Sequence, residues 1–221
     1  MNTKPTPEAI SRLITDLQGA DEFVRAQAAF ALGVLGEPAV EPLIALLSAP
    51  TSEIRMRAAW ALGVIGAPAL PALLELVDGT DEMLRIEAIR VLGVVGEARA
   101  LNQLFQALTD PDPRIAARSA RALGKIGDPR SFHPLLTALH HPSPDVRYEA
   151  CRSLADLHLI EAQPALRELA EDNQLQTSWG ASVPEAARRA IAELAGSTSS
   201  SRDSEFARVS KLLHEHRQRN S

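Results

Sequence analysis

Residues 21–36 read DEFVRAQAAFALGVLG, and two later stretches repeat the pattern: SEIRMRAAWALGVIG over 52–66 and DEMLRIEAIRVLGVVG over 81–96. Aligning the Leu-Gly pairs gives Leu32-Gly33, Leu62-Gly63, Leu92-Gly93, Leu123-Gly124 and a degenerate Leu154-Ala155, at steps of 30, 30, 31 and 31 residues. A fixed period of this size is the signature of a repeat architecture. Each unit joins a short apolar segment, such as VEPLIALL (40–47) or SFHPLLTAL (131–139), to a longer one of the DEFVRAQAAFALGVLG type. Turn residues such as SAPTS, TDPDP and HHPSP separate the two, so each unit predicts a helix, a turn and a second helix.

In the longer helix an advance of 100° per residue gathers Ala28, Leu32 and Leu35 within about 80° as one apolar face. Ala29, Gly33 and Gly36 form a neighbouring lane of small residues. Glycine weakens a helix, so its recurrence there is explained by close approach of another helix and by helix termination. One helical pair cannot bury these faces; stacked neighbours must. Composition agrees with an all-α chain: 221 residues are 45% hydrophobic but only 4% aromatic, which suits closely packed helices and not sheets.

The pattern D-x-x-V-R-x-x-A-A-x-A-L-G-x-x-G, complete at Asp21–Gly36, resembles the HEAT-like repeats of the phycobilisome-lyase type, and the resemblance extends over about 7–196. It implies a right-handed α-solenoid of helical pairs, with the second helix of each pair lining a concave surface. It also implies structural roles for Arg25, Arg55, Arg85 and Arg147, bridging repeats or satisfying turn groups. Ala116 departs from that series and predicts a weaker or differently bridged junction, with Arg114 as a substitute.

Two further breaks divide the chain. From Ala155 to Ala195 the step is 40 residues, so a longer loop is expected around EDNQLQTSWGASVP; its Trp179 is either a cover over solenoid packing or an exposed binding anchor. Beyond the solenoid (1–196), residues 197–203 read as a linker and 204–221 as a basic amphipathic helix with Phe206, Val209, Leu212 and Leu213 in its stripe.

Residues constant from unit to unit serve the stack, so function belongs at positions that vary and face away from it. The ladder five residues after each Arg position reads Phe30, Trp60, Arg90, Arg121, Arg152; nine after, Val34, Val64, Val94, Lys125, Asp156. One and two after it lie Ala26, Met56, Ile86, Ala117, Tyr148 and Gln27, Arg57, Glu87, Arg118, Glu149. The candidate groove is therefore apolar over Phe30, Met56, Trp60, Val64 and Ile86, then basic over Arg90, Arg118, Arg121, Lys125 and Arg152, with Tyr148 among them and Trp179 as a secondary candidate. The bland alternatives are gap-covering aromatics and arginines neutralised by Glu87, Glu149 and Asp156. A groove of both characters calls for a ligand with an apolar and an anionic part.

Chemistry is sparse. Cys151 sits among Ala150, Leu154 and Ala155 with no base assigned to it. The six histidines have no zinc-site spacing, and the only His-Glu pair, of the kind that holds iron in the HEAT-type hydroxylase of the deoxyhypusine pathway, is His214-Glu215 in the tail. No phosphate loop or nucleophile elbow is present. No metal and no cofactor are expected, and the net charge of −5 argues against nucleic acid. Without a secretory signal or an apolar run of spanning length, the expected location is the cytoplasm. Two functions follow: a non-catalytic scaffold holding a partner protein with a hydrophobic and acidic segment, or, as the resemblance implies, an accessory or catalytic subunit of a bilin lyase or isomerase acting on a phycobiliprotein.

Overall fold

The computed structural model describes residues 6–171 and 175–196; the expected linker and tail at 197–221 lie outside them. Twelve α-helices follow one another among the described residues: α1 (Pro7–Leu17), α2 (Glu22–Leu35), α3 (Val40–Ala45), α4 (Ser52–Ile65), α5 (Leu70–Val77), α6 (Glu82–Val95), α7 (Leu101–Ala107), α8 (Pro113–Ile126), α9 (Phe132–Ala138), α10 (Pro144–Asp156), α11 (Gln163–Ala170) and α12 (183–196). They form six pairs, each a short or medium first helix and a longer second one. A 3-10 turn leads into each first helix from α3 to α11.

The boundaries follow from side-chain chemistry. Asp21 and Asp81 accept from the backbone N–H groups of Val24 and Leu84 at 3.0 and 3.1 Å, and Asp112 accepts from Arg114 N at 2.8 Å. These satisfy donors that the first helical turn leaves without partners. Pro7, Pro113 and Pro144 occupy first helical positions, where no N–H is needed. Gly96 and Gly127 end α6 and α8 in the left-handed region at φ +72 and +69.

The fifth pair has lost that glycine: His158 stands at the equivalent position with φ +54. A non-glycine residue there costs about 1 kcal/mol, part of which is returned because glycine would loosen the unfolded chain. His158→Gly is expected to raise unfolding free energy by about 0.5 kcal/mol, read as a higher denaturant midpoint at constant slope.

The second helices pack side by side in succession (α2, α4, α6, α8, α10), whereas the first helices meet one another sparingly. The stack therefore bends with the second helices on the inside. Their close approach runs along the small-residue lane. A Cβ added at Gly33 would lie 2.9 Å from Val64 Cβ, one at Gly63 2.5 Å from Val94 Cγ1, one at Gly93 3.0 Å from Ala122 Cα, and one at Gly124 2.5 Å from Ser153 Cβ. Ala28, Ala29, Leu32, Ala58, Ala59, Leu62, Ala88, Leu92 and Leu123 are buried in one continuous core. Cys151 belongs to it, fully buried, with its thiol pushed up to about 12 by burial.

The expected arginine series forms the ties between units. Arg25 Nη1 donates to Gly19 O and Ala20 O at 2.9 and 2.6 Å while Nη2 donates to Glu53 of the next unit at 2.7 Å. Arg55 holds Ala49 O and Pro50 O at 2.8 and 3.2 Å and reaches Glu87; Arg85 holds Val77 O at 2.9 Å and reaches Asp110 at 2.6 Å. Arg147 donates to Pro142 O at 3.4 Å and, among the described residues, ties no neighbouring unit. At the fourth unit Ala116 is buried, and Arg114 does not take over the turn carbonyls. Instead it points outward, bonding Asp112 and, in the preceding unit, Glu82, both at 2.6 Å. The junction is bridged from the surface but remains tight, because Gly93 lies directly against Ala122.

Candidate groove on the concave face

The variable ladders fall on the inner face of the stack, with differences that decide what each residue can do. On α2 and α4, Phe30, Val34, Met56 and Trp60 are exposed, and the rings of Phe30 and Trp60 lie 6.4 Å apart at 32°. Phe23 and Met83 extend this apolar area. Val64 and Val94 are only half free, because each covers the glycine of the preceding second helix. Ile86 and Tyr148 are half-buried, while Ala117 and Glu87, expected on the open face, are buried.

The basic half is largely neutralised. Glu87 accepts from Arg90 Nε at 2.7 Å and Arg55 Nε at 3.3 Å, so Arg90 is tied down. Arg121 bonds Asp156, and Arg152 lies 3.5 Å from Glu149 with its guanidinium 5.8 Å from the Tyr148 ring centroid. The arginine row expected to meet a ligand is thus mostly engaged across and within helices. The reason is register: neighbouring second helices pack so closely that an acid on one falls opposite an arginine on the next. Arg118 and Lys125 are different, with no hydrogen bond or ion pair among the described residues. Burial, then the charges of Arg121, Arg118, Arg90 and Arg152, holds Lys125 below the usual lysine range. Burial raises Glu149 above the usual carboxylate range against the opposing pull of Arg152, Arg121 and Arg118.

Trp179 joins this face. The loop segment over 175–182 lies against α10, so that its indole meets Tyr148 edge-on, with ring centroids 5.8 Å apart at 85°. A cleft of about 420 Å³ opens between α6, α8, α10 and this loop, walled by Met83, Ile86, Ala117, Arg118, Glu149 and Trp179. The sequence offered Trp179 as a secondary candidate, either cover or anchor, with no contact assigned to it. The tie that sets its place is Asp145, whose carboxylate accepts from Ser178 33 residues later. Among the described residues, no three His, Cys, Asp or Glu are grouped to hold a metal ion, and no single helix is long and apolar enough to cross a membrane.

A bent stack of helical pairs with an open inner face defines an α-solenoid repeat protein. The model for HEAT repeats matches residues 10–93 and 70–141, and a HEAT repeat model matches 132–159. The chain belongs to the HEAT repeat family. Among solved structures, it is similar to a chain in the complex of CpcE and CpcF of phycocyanin lyase from Nostoc sp. PCC7120, at 23% identity and TM-score 0.61, covering 69% of this chain and 98% of that one. A computationally designed armadillo repeat protein for modular peptide recognition gives 18% identity and TM-score 0.47, covering 83% and 99%. Human deoxyhypusine hydroxylase gives 16% identity and TM-score 0.40, covering 86% and 96%. These likenesses are of fold. A search of curated proteins by sequence gives no match.

Proposed function

We propose that the chain is a non-catalytic adaptor whose concave groove holds a segment of a partner protein carrying apolar and acidic residues. One juxtaposition carries this reading: exposed Phe30, Met56 and Trp60 lie on the same inner face as Arg118 and Lys125, two cations that make no hydrogen bond or ion pair among the described residues. Exposed aromatics supply affinity through desolvation, and unpaired charges orient the partner and reject cationic competitors. The engaged arginines Arg90, Arg121 and Arg152 serve as scaffolding for the two free cations.

The test compares tagged wild-type protein with the Trp60→Ala/Arg118→Glu double variant, identifying co-purifying proteins by mass spectrometry and measuring binding of any lost protein in purified form. Both side chains are outside the core, so helical circular dichroism should be unchanged while affinity falls at least about tenfold. Equal affinity of wild type and variant for every co-purifying protein would move the binding surface off this face.

A second reading is favoured by the mixed apolar and cationic groove together with the match to nearly the whole length of a phycocyanin lyase complex chain. In it the groove holds a bilin, whose tetrapyrrole and propionates need those two environments, in the service of a phycobiliprotein. Mixing the purified protein with free bilin separates the readings: a shifted visible band that Trp60→Ala removes favours the pigment, and an unshifted spectrum leaves the adaptor.

A further inference from the structure

The turn over 176–182 is braced more heavily than a connection between α11 and α12 requires. Gln176 and Ser182 pair as an isolated antiparallel bridge. Inside it Thr177 N donates to Ala181 O at 2.9 Å, and Ala181 N donates to Thr177 Oγ1 at 2.8 Å. Gly180 closes the tip at φ +83, a conformation that an L side chain resists. A second set of ties reaches α10: Ser178 donates from both N and Oγ to the two oxygens of Asp145, each at 2.7 Å. The result is a fixed backbone on both sides of Trp179, a residue that nevertheless remains 56% exposed. A ring serving only to cover Tyr148 would lie flat and bury its faces. An exposed ring whose freedom has already been removed is preorganised, and preorganisation lowers what a binding partner must overcome.

The charges lining the cleft narrow the ligand. Both Asp145 oxygens are taken by Ser178, Glu87 by Arg55 and Arg90, Arg114 by Asp112 and Glu82, and Arg121 by Asp156. One charge remains open. Arg118 makes no hydrogen bond or ion pair among the described residues, whereas Glu149 Oε2 is enclosed between Arg152 at 3.5 Å and Arg121 at 4.0 Å. Beside them Met83, Ile86, Ala117 and Trp179 offer an apolar wall, and about 420 Å³ accommodates one large side chain with its adjoining backbone.

We infer that this cleft is the specificity pocket of the groove, receiving one apolar side chain of the partner segment and, next to it, a carboxylate that pairs with Arg118. The inference rests on the adaptor reading and refines it, because it places the anchor at the Trp179 end of the groove.

The chain has two tryptophans, Trp60 and Trp179, which gives each half its own fluorophore. Full-length Trp60→Phe and Trp179→Phe are titrated with the blocked pentapeptide Glu-Glu-Leu-Glu-Glu and with its Lys-Lys-Leu-Lys-Lys counterpart. With Trp60→Phe, the remaining indole in the cleft is expected to shift to shorter wavelength and saturate with the acidic probe but not the basic one. Arg118→Glu on that background weakens binding about tenfold or more. Asp145→Asn, which loosens the turn by weakening the Ser178 ties, weakens it severalfold and moves the free protein's emission to longer wavelength. A response confined to Trp60 overturns the pocket and leaves the groove standing. Equal response to both peptides, or indifference to Arg118→Glu, overturns the charge assignment. Silence from both tryptophans up to millimolar peptide overturns the pocket, and the co-purification comparison then decides the adaptor reading separately.

Discussion

Gly124→Val is expected to destabilise the protein by about 3 kcal/mol, the largest effect of any single change considered. A Cβ at this position would lie 2.5 Å from Ser153 Cβ and Oγ and 2.7 Å from Ser153 Cα. The last of these is backbone, so no rotamer change relieves the overlap and α8 and α10 must separate. Valine also forgoes the gain in helix propensity of about 1 kcal/mol that alanine would bring. Gly63→Ala is the control. Its new methyl would meet Val94 Cγ1 at 2.5 Å, the end of a half-exposed side chain that can turn away. Propensity and strain then roughly cancel, and stability stays within about 0.5 kcal/mol of wild type. Urea unfolding followed by circular dichroism checks both; equal midpoints for the two variants would show that the lane is not the tight contact of the stack.

Arg55→Ala is expected to cost about 2 kcal/mol. Its guanidinium closes the turn carbonyls of Ala49 and Pro50 and reaches Glu87 at 3.3 Å, in a setting where the two side chains are only 21% and 12% exposed. Arg90 remains on Glu87 at 2.7 Å, so the carboxylate is not orphaned and the loss stays below that of a severed, fully buried pair. Arg114→Ala, removing an exposed guanidinium that also bridges two units, should leave the midpoint almost unmoved. If the two variants unfold alike, the turn carbonyls gain nothing from the recurrent arginine.

The repeat was legible because it is written in local terms. Asp21 and Asp81 announce helix starts, Gly96 and Gly127 announce ends, and the 30-residue recurrence of Leu-Gly reports the stacking face. The groove was legible in outline: a helical wheel put Phe30, Met56, Trp60 and Arg118 on the open side, where they stand. A wheel carries no information about the helix alongside, however. Whether Arg121 meets solvent or Asp156, and whether Val64 is a free surface or a cover for Gly33, depends on the axial offset between units. Trp179 was singled out as a secondary candidate, but its place beside Tyr148 was not legible for a related reason, since the tie that sets it there joins residues 33 positions apart.

The lane of Gly33, Gly63, Gly93 and Gly124 has a mechanical consequence. The residues facing it, Val64, Val94, Ala122 and Ser153, differ in bulk and in freedom to move, so the four hinges of the inner arc are not equally stiff. The two that meet valine side chains can yield, while those that meet Ala122 and Ser153 press backbone on backbone. The arc is therefore compliant toward its N-terminal, aromatic end and rigid where Arg118 and Trp179 are mounted.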